Sequence, residues 1–208
     1  MNKPKIVLFD LGNVLVHVHP EAMLQTLGID SPENRERFSR PIIDIVRPYE
    51  RGEESTEQFL QRLQKLLTGG ESEARPCNFD QEKIKQAMLT IIGKPIDGME
   101  EVVKQVAARV PIALLSNTNP LHYELCRQNL PALRWIPRHF LSYQLGALKP
   151  LREIYEKVAR VVGVPPPDIL FIDDAEPNIA GAQAAGMKTI LFRNVGGIEK
   201  QLSEMRLL

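Results

Sequence analysis

Four short apolar runs stand out along the chain, at residues 6–9, 112–115, 169–172 and 189–192. They show no regular alternation with polar residues, which is typical of strands that are covered on both faces. Stretches with a helical period separate them, so that strand and helix alternate from about residue 96 onward. This pattern predicts an α/β fold with a doubly wound, Rossmann-like parallel sheet.

Apolar stripes predict the helices between these strands. A stripe that ends at Gly163 indicates one helix, because glycine often closes a helix in the left-handed conformation. Further stripes begin at Met99 and at Ile179. The stripe before Gly163 consists of Ile154, Val158, Val161 and Val162.

Between the first strand and residue 96, helical stripes follow one another without a convincing strand. Ser55 and Gln58 have the spacing of a capping box at the start of one helix, and apolar positions recur from Phe59 to Leu67. The next stripe consists of Ile84, Met88, Ile91 and Ile92.

These stripes indicate a helical insertion within the α/β unit. The chain has 208 residues, enough for one compact core with a modest insertion. We therefore predict a catalytic core of residues 1–16 and 96–208, and a helical cap of residues 17–95 inserted directly after the first strand.

Composition narrows the possible partners. Lys plus Arg and Asp plus Glu both number 26, so no long-range field favours nucleic acid or an anionic membrane. The apolar segment before Asp10 is too short for a signal-peptide core or a membrane span. Cys77 and Cys126 lack metal-binding spacing and are expected as free thiols. We expect a cytoplasmic protein, monomeric or homodimeric, with no nucleic-acid or membrane partner.

Polar residues follow three of the predicted strands. Asp10 comes after the first, Ser116 after the second, and Asp173 and Asp174 after the third. Ligands of open parallel sheets bind at the carboxyl ends of the strands, so these side chains are expected at one edge. Three carboxylates repel one another unless a hard cation such as Mg²⁺ neutralises them. The sequence therefore predicts a magnesium site at this edge.

The segment after the second strand has the features of an anion site. Asn119 fits a helix N-cap and Pro120 the first helical position. Backbone amides there, with the Ser116 hydroxyl, can hold phosphate oxygens, although such a segment taken alone is more often only a capped turn. Lys149, before Pro150 and another helix start, is placed to reach the same edge.

Four ordered motifs resemble those of the haloacid dehalogenase superfamily. They are FDLGNV at residues 9–14, LSNTN at 115–119, LKP at 148–150 and FIDD at 171–174. The insertion after the first motif resembles the family's helical cap of the first type. Within the superfamily, the chain is similar to bacterial sugar-1-phosphate phosphatases and to the phosphatase domain of soluble epoxide hydrolases.

The resemblance implies a magnesium-dependent phosphatase of a small phosphorylated metabolite such as a sugar phosphate. Asp10 would attack phosphorus and form an aspartyl-phosphate, which water then hydrolyses. Ser116 and Lys149 would be the other catalytic residues. Together with Asn117, they would hold the phosphoryl group.

The resemblance also implies the metal ligands. Magnesium would lie between Asp10, the backbone carbonyl of Gly12 and the acidic pair, with Asp174 favoured over Asp173 as the direct ligand. Independently, the polar turn at Arg51 in the predicted cap could direct this side chain at the substrate, although an ordinary solvated connection is the simpler interpretation.

Gly12 departs from the family pattern, in which a second Asp two residues after the nucleophile acts as general acid and base. Loss of a general acid typically slows a reaction by about a hundredfold to ten-thousandfold. Asp173, His17 or His19 could take over this role. Otherwise, the enzyme should prefer leaving groups that need little protonation.

Two alternatives stay open on the sequence. A 2-haloacid dehalogenase of the same superfamily needs no metal, which would leave the Asp173 and Asp174 pair without an obvious use. A degenerate binding protein would keep the fold and, with Gly12 in place of the acid, no longer turn over.

Overall fold

The structure is a computed structural model that describes residues 3–69 and 79–208, so that Cys77 lies outside the described residues. These residues form a five-stranded sheet and a two-stranded ribbon. The strands are β1 (Ile6–Phe9), β2 (Val16–Val18), β3 (Ile92–Pro95), β4 (Ile112–Ser116), β5 (His139–Leu141), β6 (Ile169–Asp173) and β7 (Lys188–Leu191).

The larger sheet is parallel and has the order β5-β4-β1-β6-β7. Every residue of β1, β4 and β6 is buried, which explains why their sequences are apolar without alternation. The predicted doubly wound α/β fold is confirmed. The sequence did not reveal β5, because three residues at a sheet edge are too short for a periodic signal.

Helices cover both faces of this sheet and also form a separate layer. The helices are α1 (Ala22–Thr26), α2 (Pro32–Glu50), α3 (Thr56–Thr68), α4 (Gln81–Leu89), α5 (Met99–Ala107), α6 (Pro120–Asn129), α7 (Ser142–Leu145), α8 (Arg152–Val162), α9 (Glu176–Ala184) and α10 (Val195–Glu204). Short 3-10 turns occur at Pro131–Trp135 and Pro166–Asp168. In the part of the chain that is described, no helix combines the length and the apolar character needed to cross a membrane.

Two apolar cores lie against the sheet, one on each face. Val7 and Phe9 of β1 belong to one core, and Leu8 belongs to the other. The predicted helices at Met99, Ile154 and Ile179 are confirmed as α5, α8 and α9. The assignment of Val161 to the buried face was wrong, since this residue is 55% exposed.

A third apolar core lies among helices α1 to α4, which we call the helical cap. The predicted capping box is confirmed: Ser55 Oγ accepts from the amide of Gln58, whose side chain accepts from the amide of Ser55. The prediction of one helical stripe from Ile84 to Ile92 was partly wrong, because α4 ends at Leu89 and the next turn leads into β3. Ile91 and Ile92 therefore follow the helix.

The expectation that no strand lies between β1 and residue 96 was also wrong. Strands β2 and β3 pair antiparallel with a register irregularity. Their residues are mostly not buried, so they lack the apolar pattern on which the prediction depended.

Contacts of α4 with α6 and of α2 with α7 connect the helical cap to the sheet domain. The Nε2 atom of His122, in α6, lies 2.9 Å from the backbone oxygen of Met88 in α4. Gly52, after α2, approaches α7 so closely that an added Cβ atom would lie 2.1 Å from the carbonyl oxygen of Tyr143. The C-terminal end of α2 thus docks beside the loop that leads to Lys149.

Candidate active site

The carboxyl ends of the three central strands form the floor of the site. Asp10 follows β1, and its amide donates to the carbonyl of Ile172 in β6 (2.9 Å). Ser116 ends β4 and Asp173 ends β6, on either side of β1. All three side chains are buried. The sheet therefore brings together the three polar positions predicted to share one edge.

Lys149 joins this group from the loop before α8. Its Nζ atom lies 2.7 Å from Asp10 Oδ1 and 2.6 Å from Asp173 Oδ2, and it also donates to the carbonyl of Leu115 at 3.3 Å. The side chain is 1% exposed. A buried ammonium group between two carboxylates compensates charges that would be costly alone.

Asn117 anchors Lys149 through the backbone. The side-chain Nδ2 of Asn117 donates to the backbone carbonyl of Lys149, and the side-chain Oδ1 of Asn117 accepts from the backbone amide of Lys149. Both distances are 2.9 Å. Asn117 also lines the cavity above the floor. The sequence suggested only substrate binding for this residue, because a contact across 32 positions has no local signal.

Hydrogen bonds from nearby residues hold the side chain of Asp173 in place. Its Oδ1 atom accepts from the amide of Ala175 at 2.8 Å and from Asn178 Nδ2 at 3.0 Å. Its Oδ2 atom accepts from Lys149. These bonds fix the carboxylate and occupy both oxygens, which does not fit the general-acid role that the sequence allowed for Asp173.

Burial dominates the electrostatics of the floor. Burial and the charge of Asp173 raise the pKa of Asp10 to about 7, against the lowering effect of Lys149. Burial acts to lower the pKa of Lys149, but Asp10 and Asp173 outweigh it and raise this pKa. Lys149 therefore stays protonated.

Asp10, Asp173 and Asp174 present oxygens that lie within 4.8 Å of one another. Oxygen donors at this spacing suit a hard divalent cation. Burial, followed by the charge of Asp173, raises the pKa of Asp174. The residues present therefore fit the predicted cation site.

The loop between β1 and β2 supports this acidic group. Asn13 has a positive φ of 51°; its side chain accepts from the amide of Val18 at 3.0 Å and bonds to Asp174. An added Cβ atom at Gly12 would lie 3.1 Å from a methyl group of Val18. A larger residue at position 12 would require Val18 to move, a contact that no local sequence pattern predicts.

A cavity of about 570 Å³ lies between the floor and the helical cap. Gly12, Ser116 and Asn117 line it from the sheet side, and Glu50 lines it from the end of α2. Arg51, predicted to bind substrate, does not line this cavity and instead pairs with Glu53, at 2.7 Å. Sequence reasoning identified the turn but missed Glu50 immediately before it.

The two histidines considered as replacement acids lie outside the cavity. Val16 and Val18 of β2 line it, whereas His17 and His19 do not. Neighbouring residues of a strand point to opposite sides. The rings of His17 and His19 stack on each other, with centroids 6.1 Å apart.

A buried aspartate, a lysine and an acidic pair at one edge of a parallel sheet, under a helical cap, define a capped Rossmann-like hydrolase. Residues 4–186 match the model of the haloacid dehalogenase-like hydrolase family. The chain belongs to this family.

Curated relatives are phosphate-ester hydrolases by name. The chain is 26% identical over 209 residues to D-ribitol-5-phosphate phosphatase of Bacteroides thetaiotaomicron, across 96% of this chain and 97% of that protein. It is 32% identical over 129 residues to Flavin mononucleotide hydrolase 1 of Arabidopsis thaliana, across 62% of this chain and 52% of that protein.

Solved structures share the fold. A HAD family enzyme from Bacteroides thetaiotaomicron superposes with a TM-score of 0.80 at 24% identity, over 93% of this chain and 95% of that chain. A structure of that enzyme with magnesium and inorganic phosphate has a TM-score of 0.77 at 24% identity, over 92% and 95% of the two chains.

Proposed function

We propose that the protein is a magnesium-dependent phosphatase that hydrolyses a small phosphorylated metabolite through an aspartyl-phosphate on Asp10. The observation that carries this proposal is the position of Lys149, which lies 2.7 Å from Asp10 and 2.6 Å from Asp173. They meet at the sheet edge from which Ser116 and Asn117 line the cavity. The names of the two curated relatives support the same reaction class.

In this mechanism, a carboxylate oxygen of Asp10 attacks phosphorus, and the bond from phosphorus to the leaving oxygen breaks. Water then attacks the phosphorus of the aspartyl-phosphate, which releases inorganic phosphate and restores Asp10. Lys149 and the Ser116 hydroxyl hold the phosphoryl oxygens, while Asn117 keeps Lys149 in place. Positioning and charge neutralisation provide most of the rate enhancement in such transfers.

Asp10, the backbone carbonyl of Gly12 and Asp174 would be the direct metal ligands. Asp173 would support the site from behind, because its oxygens already accept from Lys149, Ala175 and Asn178. When bound, magnesium neutralises charge on the transferring phosphoryl group and on the carboxylates.

The substrate would bind between two parts of the chain, a core of residues 1–16 and 96–208 and a cap of residues 17–95. A cavity of about 570 Å³ has room for a metabolite. A sugar phosphate is one candidate, in line with the ribitol 5-phosphate in the name of one relative. A contact between Arg51 and the substrate, a cytoplasmic location and a monomeric or homodimeric state stay predictions.

Release of phosphate from p-nitrophenyl phosphate tests the proposal, because this leaving group needs no general acid. We expect magnesium-dependent turnover by the native chain and none by Asp10→Asn, which keeps the shape of the side chain. Turnover that survives in Asp10→Asn would contradict the nucleophile assignment. An inactive native chain would favour a binding protein, or a dehalogenase to be assayed on 2-haloacids.

A further inference from the structure

Position 12 offers no proton to the leaving oxygen, so another acid is needed for substrates that leave as an alkoxide. Within the described residues, the carboxyl and imidazole side chains that line the cavity are Glu21, Glu50 and His122. They differ sharply in their surroundings.

Two of the three are engaged elsewhere. Both ring nitrogens of His122 have partners: Nδ1 lies 3.1 Å from the side chain of Asn119, and Nε2 lies 2.9 Å from the carbonyl of Met88. Glu21 is 46% exposed, and its carboxylate lies 3.7 Å from the ring of His19, a residue that does not line the cavity. Glu50 is therefore the acid that is partly shielded from solvent and not bonded to another side chain within the described residues.

The surroundings of Glu50 suit a proton-transfer group. Within the described residues its side chain has no hydrogen bond and no ion pair, although it lies in the field of Arg47 on its own helix and of Lys149 on the floor. Its neighbours fix its place: the Tyr49 hydroxyl lies 2.8 Å from the Thr56 hydroxyl, and the turn that follows docks on α7. Glu50 therefore reaches the same cavity as Gly12, but from the cap.

We propose that Glu50 is the catalytic acid and base that replaces the one missing at Gly12. Protonated Glu50 donates its proton to the leaving oxygen as the bond to phosphorus breaks, and an alcohol leaves. The resulting carboxylate then accepts a proton from the water that attacks the aspartyl-phosphate, which restores protonated Glu50. This assignment rests on the proposed phosphatase function.

The electrostatics agree with this cycle. Burial raises the pKa of Glu50 to about 7, while Arg47 and Lys149 act to lower it. An acid that also serves as base is most effective when both of its forms are populated near the working pH. Because Glu50 belongs to the cap, the acid would be in place only when the cap covers the substrate.

The test compares Glu50→Gln with Glu36→Gln, the same change at an exposed position of the same helix. The rate of the first chemical step is followed by rapid mixing, with p-nitrophenyl phosphate and with propyl phosphate, whose leaving group requires a proton. For Glu50→Gln we expect the p-nitrophenol burst to stay within about threefold of the native rate, and propyl phosphate cleavage to fall by about a hundredfold or more. Steady-state turnover of both substrates falls, because the second step loses its base.

An equal loss of the first step for both substrates would overturn the assignment, since a displaced cap affects any leaving group. An unchanged rate on propyl phosphate would also overturn it. A native chain that cleaves neither ester would instead refute the proposed phosphatase function. Glu36→Gln should match the native chain throughout.

The cavity wall carries a second, independent inference about the substrate. On the cap side, apolar side chains outnumber the polar ones, which are Glu21, Arg35, Ser39, Arg47 and Glu50. A buried hydroxyl that faces the apolar part of the wall has no hydrogen-bond partner, which costs free energy. A polyol would bring several such hydroxyls. The apolar side chains of this wall include Met23, Leu24, Ile42, Val46, Met88 and Ile91.

We infer that the preferred substrate is a phosphate monoester with an apolar body, such as a medium-length alkyl or isoprenyl phosphate. This also rests on the proposed function. Hexyl phosphate and ribitol 5-phosphate are compared because both leave as primary alcohols, so that their chemistry is alike. We expect kcat/KM to be at least about tenfold higher for hexyl phosphate, since one methylene in an apolar pocket contributes about tenfold or more.

Ile42→Asn, which adds a polar group to the wall, should reduce this ratio by about tenfold. A higher kcat/KM for ribitol 5-phosphate would overturn the inference, and so would rejection of both esters by a chain that hydrolyses p-nitrophenyl phosphate. A native chain that does not hydrolyse p-nitrophenyl phosphate would instead refute the proposed phosphatase function.

Discussion

The ammonium group of Lys149 lies 2.7 Å from Asp10 Oδ1, and both side chains are buried. Lys149→Met leaves Asp10 and Asp173 without their counter-charge. Removing one partner of a buried pair costs about 3 to 5 kcal/mol. We expect a loss of this size in the free energy of unfolding, measured with urea, together with loss of turnover. Asp10→Asn in the Lys149→Met background should recover part of the stability; a further decrease would contradict the pairing.

Asn117 acts on Lys149 through two hydrogen bonds to its backbone. Asn117→Ala removes both, which should lower the free energy of unfolding by about 2 kcal/mol, at about 1 kcal/mol each. Turnover of p-nitrophenyl phosphate should fall, because Lys149 loses its fixed position. Asn129→Ala, which removes one exposed side-chain bond to the backbone, is the control and should leave turnover unchanged.

Magnesium should stabilise the folded chain through the acidic group. At a concentration about a hundredfold above its dissociation constant, a ligand raises the free energy of unfolding by about 2.7 kcal/mol. We expect thermal unfolding of the native chain to shift upward on addition of magnesium, and Asp174→Asn to lose the shift. Asp44→Asn, at an exposed position of α2, should keep it. A shift that persists in Asp174→Asn would place the metal elsewhere.

The docking of the cap can be tested with two glycines. Gly52 and Gly28 both have positive φ, at 73° and 70°, so alanine costs about 1 to 2 kcal/mol at either site. An added Cβ meets the carbonyl oxygen of Tyr143 at 2.1 Å in Gly52 but nothing within 4 Å in Gly28. Gly52→Ala should therefore destabilise the protein more than Gly28→Ala, and it alone should reduce turnover. Equal effects in urea unfolding and activity would exclude the close approach.

The partly buried carboxyl of Glu50 should make the free energy of unfolding depend on pH. Its pKa is raised from 4.5 to about 7 on folding, so the folded state favours the protonated form. Below pH 4.5 both states are protonated and the group carries no cost. As pH rises from 4.5 through 7, the free energy of unfolding falls by about 3 kcal/mol in total, at about 1.4 kcal/mol per pKa unit. Urea unfolding of Glu50→Gln at pH 5 and pH 8 should show this dependence removed, whereas Glu36→Gln should keep it.

The sequence alone indicated the sheet and its reactive edge. Buried strands such as β1 and β6 can be recognised as apolar runs. Parallel strands of one sheet have their carboxyl ends at the same edge, whatever segments connect them. The sequence therefore predicts that Asp10, Ser116 and Asp173 lie at one edge of the sheet. The N-cap at Asn119 is confirmed for the same reason, because its bond to the amide of His122 is local.

Only the tertiary structure decided which residues face the substrate cavity. Arg51 and Glu50 are adjacent in the sequence, but Glu50 lines the cavity while Arg51 pairs with Glu53. His17 and His19 lie outside the cavity, and Asn117 holds Lys149 across 32 positions. The spacing of apolar residues predicts which face of a helix or strand is buried, but it does not predict which distant residues pack against that face. These contacts depend on how the cap packs on the sheet, and no local pattern encodes that packing.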